Sequence, residues 1–368
     1  MKITSVDVWP VSIPFVKPFE VWRGVARTKD HVIVEVHTDE GISGIGEASP
    51  FLYYAAETQE DVVATLTNHL APMVRGLDPF DTERLNRLFD TVVDGHHFSK
   101  AAIEMALWDI IGKALGVPVY RLLGGSVRDA VEVIALLDNG RPAAMAAQAA
   151  DRVEAGYRHL KVKIGFDPAT DVAMVAAVVG AVGRSASVRV DAEESYDLKT
   201  SLRIARRLEE LEVELLSQPI SRHHHRQMAR LRETISIPLL VDESIEIPAD
   251  VMLAADLGTG DLVNIKVVKC GGILKAKRMA AIAEGAGMDC LVGSMIEMGP
   301  GTACGAHVAI STPNVTYASE LVGPQLIDGD VLVDPIEIHQ GRVRLPDRPG
   351  LGVELDRERL ARYATAAS

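Results

Sequence analysis

The stretch Leu160-Lys161-Val162-Lys163-Ile164-Gly165 sets two lysines two positions apart in an otherwise apolar run. Alternate side chains of an extended chain share a face, so both amines point the same way. Such lysines are either solvated on an edge strand, the ordinary fate of lysine, or buried. A buried lysine beside a second ammonium has a lowered proton affinity and takes protons near neutral pH. Charged residues recur downstream in similar settings: Asp191 and Glu193, Asp242 and Glu243, Lys266, Glu297 and Glu320, with Ser217-Gln218-Pro219 among them. Buried charges cost several kcal/mol each unless paired, so a recurring set at strand ends points to a site more than to structure.

The elements that would position these residues repeat. Strand-like runs begin near Val131, His159, Ser187, Val213, Ile237, Asp261, Met288 and Val315, each followed by a helical pattern. Successive starts lie about 24 to 28 residues apart, the period of a (β/α)8 barrel. A doubly wound open sheet competes, but no glycine-rich phosphate fingerprint follows the first strand. Residues 1–125 read as α+β: strands near 3–9, 31–37 and 43–47, then helices near 57–70, 79–92 and 99–115. Residues 126–325 carry the barrel, and 326–368 return as short strand-like pieces that cover the first domain. The expected fold is α/β, a modified TIM barrel with an N-terminal α+β cap completed by the C-terminal segment. Two segments, 17–23 and 50–54, read as loops rich in large aromatics (Phe19, Trp22, Phe51, Tyr53, Tyr54), suited either to ordinary packing or to a lid over an apolar substrate.

Barrel active sites lie at the C-terminal strand ends. Strands two and six face each other, which sets Lys163 and Lys266 on opposite sides of a bound molecule. The carboxylates of strands three to five lie on one flank and suit a hard divalent cation such as Mg²⁺. Two opposed amines and a cation suit removal of a proton α to a carboxylate.

With these residues in place the chain resembles the muconate cycloisomerase (muconate lactonizing enzyme) subgroup of the enolase superfamily, nearly end to end. The resemblance rests on Gly44-Ile45-Gly46-Glu47, Ala106-Leu107-Trp108-Asp109, Leu122-Leu123-Gly124-Gly125, Lys161-x-Lys163, Val190-Asp191-Ala192, Gln218-Pro219-Ile220-Ser221-Arg222, Asp242-Glu243-Ser244, Lys266 before Cys270-Gly271-Gly272, and Ser319-Glu320-Leu321-Val322-Gly323-Pro324. It implies Lys163 and Lys266 as acid/base groups, Lys161 tuning Lys163, and Asp191 and Asp242 as ligands of Mg²⁺ (or Mn²⁺). It also implies a small carboxylate substrate and assembly from identical subunits. Glu320, Glu297, Trp22, Tyr53 and Tyr54 are the expected substrate contacts; Glu297 pairs equally well with a barrel lysine. Glu320 and the fourth-strand segment favour cycloisomerase-like chemistry, whereas two lysines also permit racemisation of an N-acyl amino acid. The family pattern has a glutamate ligand where this chain has Ser217, and asparagine where it has Glu193. A carboxylate moved from 217 to 193 would keep the site's charge; Glu193 pairing with a lysine is the competing reading, and a ligand-binding homologue without turnover is the alternative for the whole chain. Glu214 is a weaker candidate ligand, of opposite parity to Ser217.

The remaining features bound the answer. The chain has 368 residues, 48% hydrophobic and 24% charged, enough for a large core and a second domain. A net charge of −13 disfavours nucleic-acid binding. Three unpaired cysteines (Cys270, Cys290, Cys304) argue against a disulfide framework or a zinc site. No signal-peptide core and no apolar run of spanning length are visible, so the expectation is a cytoplasmic protein that does not enter membranes. His223-His224-His225 reads as a solvated loop or helix start, and His96-His97 as polar capping before a helix.

Overall fold

The computed structural model describes residues 1–365. Strands Ile3–Val21 and Gly24–Thr38 form a long antiparallel hairpin, and Ser43–Ala48 adds a third strand. Residues 17–23, expected as a loop, are the hairpin's tip: Phe19, Glu20 and Val21 pair with Ala26, Val25 and Gly24 beyond a register shift that begins at Pro14. Pro14 and Pro18 offer no N–H to the ladder, so the pairing shifts there and resumes. Helix His97–Leu115 lies across this sheet. Gly44 and Gly46 permit the approach, because a Cβ at either would overlap the carbonyl oxygen of Ala106 or Ala102.

Among the described residues, seven parallel strands follow in sequence order: Ala135–Leu136, His159–Lys163, Ser187–Asp191, Leu216–Ser217, Leu239–Val241, Leu262–Ile265 and Asp289–Val292. The eighth position is irregular. Residues 315–320 bridge the seventh strand through Cys290–Val315 and a Glu320 N–H to Val292 O bond of 2.8 Å, and reach the first through Ile134 N–H to Ser319 O at 3.0 Å. The ring therefore closes, with helices between the strands. Alternation sorts the barrel's inside from its outside. Leu215, Leu240, Leu262 and Leu291 form an apolar cluster of their own, below the polar strand ends, while Arg189, Lys161 and Asp191 fill the opposite half of the interior.

The C-terminal segment divides its contacts. Arg342–Val343 pairs with Val131–Glu132 at the barrel's entry rather than with the cap. Helix Arg357–Tyr363 does reach the cap: Thr365 N–H donates to Pro10 O at 2.9 Å and Arg357 pairs with Glu35 at 2.6 Å. All three cysteines are buried and free. The histidine run becomes the start of helix His225–Arg232. No helix among the described residues is long and apolar enough to cross a membrane.

Two buried carboxylates from the cap seat it on the barrel. Glu104 accepts the Ile273 and Leu274 N–H groups (2.7 and 3.0 Å) at the start of helix Ile273–Gly285, and the Trp108 indole at 2.7 Å. Glu47 accepts the Met298 and Gly301 N–H groups (both 2.8 Å) at the start of helix Gly299–Ile310. Each satisfies donors that a helix N-terminus leaves unpaired. Burial nevertheless pushes the Glu104 carboxyl up from 4.5 to about 7, against the Leu274, Ile273 and Trp108 hydrogen bonds. A raised carboxyl holds its proton longer in the folded state, so its contribution to stability is present at low pH and lost as pH rises from 4.5 to about 7. The stability advantage of the native protein over Glu104→Gln should therefore shrink by up to about 3 kcal/mol across that window. Urea unfolding at pH 5 and pH 8 checks this, and a difference independent of pH would refute it.

Candidate active site

The second strand turns Lys161 and Lys163 inward, and the third does the same for Arg189 and Asp191. Lys161 Nζ lies 2.9 Å from Asp191 Oδ2 and 2.6 Å from Glu320 Oε2, and Arg189 Nη1 lies 3.6 Å from Glu320 Oε1. Burial lowers the Lys161 proton affinity, but Asp191 and Glu320 outweigh it and hold the ammonium well above the ordinary lysine value. Lys163 pairs with Glu193 and lies 3.7 Å from Asp191 Oδ2. Burial pushes it down from 10.5 to about 8; Asp191 opposes, and the Lys161 and Lys266 charges add to the fall. Contact with the Glu193 carboxylate favours the ammonium. Lys266, at the end of the sixth strand, sits 2.7 Å from Asp242 Oδ1; there burial is outweighed by Asp242 and Glu243, and the proton is held more tightly than usual.

These groups meet in a cavity of about 60 Å³ at the C-terminal strand ends. Lys161, Lys163, Lys266, Asp191, Glu193, Asp242 and Glu320 all line it, as does Tyr54 from the cap. Several expected contacts fall elsewhere. Glu297 does not line it: the Met295 N–H caps its Oε1 at 2.8 Å, and it lies buried near Glu47, with no ion pair to a lysine among the described residues. The irregular chain after the seventh strand turns it under the cap. Tyr53 packs on Phe51 and Tyr54, one layer out. Trp22 is 40% exposed and donates its Nε1–H to Glu193 O at 3.0 Å, outside the cavity. Ser217 is buried and points inward by parity, but the side chain is too short to reach the cavity, and its Oγ has no partner among the described residues. Glu320 reaches the wall with its carboxylate already committed to Lys161.

Sequence reasoning left Arg189, Ser294 and Ile296 unnamed and gave Glu243 no role of its own. Arg189 stands two residues before Asp191, so parity alone would have placed it inside the barrel. Glu243 lines the cavity, fully buried beside Asp242; burial first, then Asp242 and Asp191, push its carboxyl up to about 8. Ser294 and Ile296 come from the irregular turn after the seventh strand and left no periodic signal. Glu214 lies at the other end of the barrel, bonded to Arg189, His159 and Ser187.

The third strand ends unusually. Glu193 and Glu194 adopt φ of +46° and +65°, a left-handed conformation that costs a non-glycine residue about 1 kcal/mol each. The turn aims the Glu193 carbonyl at Trp22 and Arg23 (3.0 and 3.2 Å), and the Glu193 carboxylate at Lys163 and the Tyr54 hydroxyl (2.7 Å). Glu194 binds Arg23 and Arg222. This step thus anchors the hairpin tip, together with the Lys17–Asp138 pair (3.0 Å) and the Asn139 Nδ2–H bond to Glu20 O (2.6 Å).

The donor chemistry fits a hard cation. Five carboxylates line the cavity, and Glu193 Oε2 and Glu243 Oε2 are buried without a hydrogen-bond partner among the described residues. They do not converge on a point. Among the described residues, three such ligand atoms come within 4.8 Å of one another only at Asp7, Glu35 and His37, on the cap sheet, where Arg357 already holds Glu35.

Residues 3–124 match the N-terminal domain of mandelate racemase and muconate lactonizing enzyme, and residues 144–359 the enolase C-terminal-like domain. The chain belongs to this family. It is 36% identical to muconate cycloisomerase 1 of Pseudomonas putida (94% of each chain covered) and 34% identical to the N-succinyl-L-Arg/Lys racemase of Bacillus cereus (98% of this chain, 97% of that one). A crystal structure of the Pseudomonas fluorescens muconate lactonizing enzyme with muconolactone superposes with a TM-score of 0.96 at 34% identity, covering 99% of each chain. The Enterococcus faecalis dipeptide epimerase, crystallised with Mg and L-Leu-L-Tyr, superposes at 0.93 with 30% identity, over 96% of this chain and 99% of that one. The chemistry common to the superfamily, abstraction of a proton α to a carboxylate, is accordingly this chain's.

Lys161 is the hub of this family member's buried charge. Lys161→Met would leave Asp191 and Glu320 facing each other with one cation fewer, a loss of about 3–5 kcal/mol. Urea denaturation measures it; a change under 1 kcal/mol would mean the pairs contribute nothing net.

Proposed function

We propose that the chain catalyses 1,1-proton transfer at the α-carbon of a substituted amino acid or similar carboxylate, as a racemase or epimerase. The observation that carries this is the pair of amines, Lys163 and Lys266, lining one cavity from facing strands. Their surroundings divide the labour: Lys163 gives up its proton near neutral pH and can act as base, while Lys266 stays protonated and can return a proton from the other face. Lys161 keeps Asp191 in place and adds the charge that helps lower Lys163. Phe19, Phe51 and Tyr54 close the cavity toward the cap and exclude water. Asp191 and Asp242 would hold Mg²⁺ (or Mn²⁺), with Glu193 supplying the carboxylate that Ser217 does not. Bound there, the cation would stabilise negative charge on the substrate carboxylate as the α-proton leaves. Lactone formation of the muconate type is the second reading, favoured by the likeness to enzymes of that name. Glu320, tied to Lys161, supports neither over the other.

Incubation of N-acyl amino acids in D₂O with Mg²⁺ should place deuterium at the α-carbon, and Lys163→Ala should reduce that exchange by at least about a hundredfold. A library without any exchange would favour a ligand-binding homologue. Glu193→Gln should weaken Mg²⁺ binding by no less than the 10- to 100-fold typical of an outer partner, read by calorimetry. Glu193→Asn should do the same while leaving stability equal or higher, because asparagine tolerates the left-handed backbone. Unchanged Mg²⁺ affinity in both would remove Glu193 from the ligand set.

A further inference from the structure

Toward the cap, the cavity ends in a wall of rings with Phe51 as its hub. The Phe51 ring lines the cavity and lies 5.9, 5.6 and 5.2 Å from the rings of Phe19, Tyr54 and Tyr53. Lys163 stands against this cluster, its Nζ 5.6 Å from the Phe19 centroid and 5.7 Å from that of Tyr54. Yet Phe51 belongs to an irregular segment, residues 49–54, without the ladder bonds of a strand. The ends of that segment are tied to the barrel: the Ser49 hydroxyl donates to Met295 O at 2.8 Å, and the Tyr54 hydroxyl to Glu193 Oε1 at 2.7 Å.

The middle is tied by a buried amine. Lys29, on strand Gly24–Thr38, is 1% exposed and does not line the cavity. Its Nζ donates to Pro50 O at 2.6 Å and to Asp30 O at 3.1 Å, and stands 5.2 Å from the Phe51 centroid. Among the described residues its hydrogen-bond partners are these two carbonyls; Glu297, Glu47 and Asp30 act on it through their charge. Burying an amine in this way is unfavourable. A methionine of similar length would pack there at lower cost, but it could neither bond Pro50 O nor set a cation against the ring.

We infer that Lys29 is a positioning residue: it fixes Pro50 and Phe51, and through Phe51 the wall of rings against which substrate and Lys163 rest. This takes the cavity as the substrate's site, as the α-proton reading does, and goes beyond that reading. Lys163 keeps its pairs with Glu193 and Asp191 when the wall loosens, so the loss falls on substrate binding more than on the chemical step.

Hydrogen exchange reads the positioning without substrate. The Tyr54 and Ala55 N–H groups donate to Phe51 O at 2.8 and 2.9 Å. In Lys29→Met they should exchange at least about tenfold faster, while the amides of barrel strand His159–Lys163 keep their rates. Lys29→Gln keeps a donor for Pro50 O and should accelerate them less than Lys29→Met does. Unchanged rates at Tyr54 and Ala55, acceleration throughout the molecule, or equal acceleration by Lys29→Gln would overturn the inference. α-Proton exchange of N-acetyl-L-phenylalanine with Mg²⁺ in D₂O reads the consequence. Lys29→Met should raise KM about tenfold and leave kcat within about threefold; in a Phe51→Leu background it should change KM less than about threefold. A fall in kcat alone, or the full effect on KM in the Phe51→Leu background, would overturn it. Local amide acceleration with no N-acyl amino acid exchanged by the native protein would keep Lys29 as the anchor of the wall and reject the α-proton reading.

Discussion

A closed barrel that holds ionised side chains has to pair them, because each isolated charge would cost several kcal/mol. Here the pairing runs as a column. Glu214 holds Arg189, Arg189 approaches Glu320, Glu320 holds Lys161, Lys161 holds Asp191, and Asp191 faces Lys163. Chemistry comes from its uneven end. At Lys161 two close carboxylates outweigh burial and the proton stays, whereas at Lys163 burial prevails over Asp191 and two further ammonium groups add their repulsion. Two lysines of one strand, on one face, thus acquire opposite tendencies from the arrangement of their neighbours.

The cap depends on the same economy of charge. Glu47 and Glu104 are buried where helix N-termini present unpaired N–H groups, which makes burial of a carboxylate tolerable and fixes the cap's angle on the barrel. That angle decides where the hairpin tip lands, and therefore which aromatic rings cover the reacting atoms. Gly44 and Gly46 serve the same end by letting strand and helix touch backbone to backbone.

Much of this was legible in the sequence. The strand–helix period announced the barrel, and the lysine parity put both amines inside it. Facing strands put Lys163 opposite Lys266 without any coordinates. Legibility failed where periodicity fails. The irregular chain after the seventh strand hid Ser294 and Ile296 and misdirected Glu297. Pro14 and Pro18 made a paired hairpin tip look like a loop. Arg189 was readable by parity, two residues before Asp191, yet carried no motif to mark it. The left-handed turn at Glu193 and Glu194 has no signature, since glutamate is not a residue such backbone favours; only the family's asparagine there hints at it.

That turn joins two movements. The carbonyl of Glu193 anchors the hairpin tip through Trp22 and Arg23, and its carboxylate grips Lys163 and Tyr54. A displacement of the tip would tug on the peptide that steadies the amine below, because cap and barrel share that one residue as a mechanical joint.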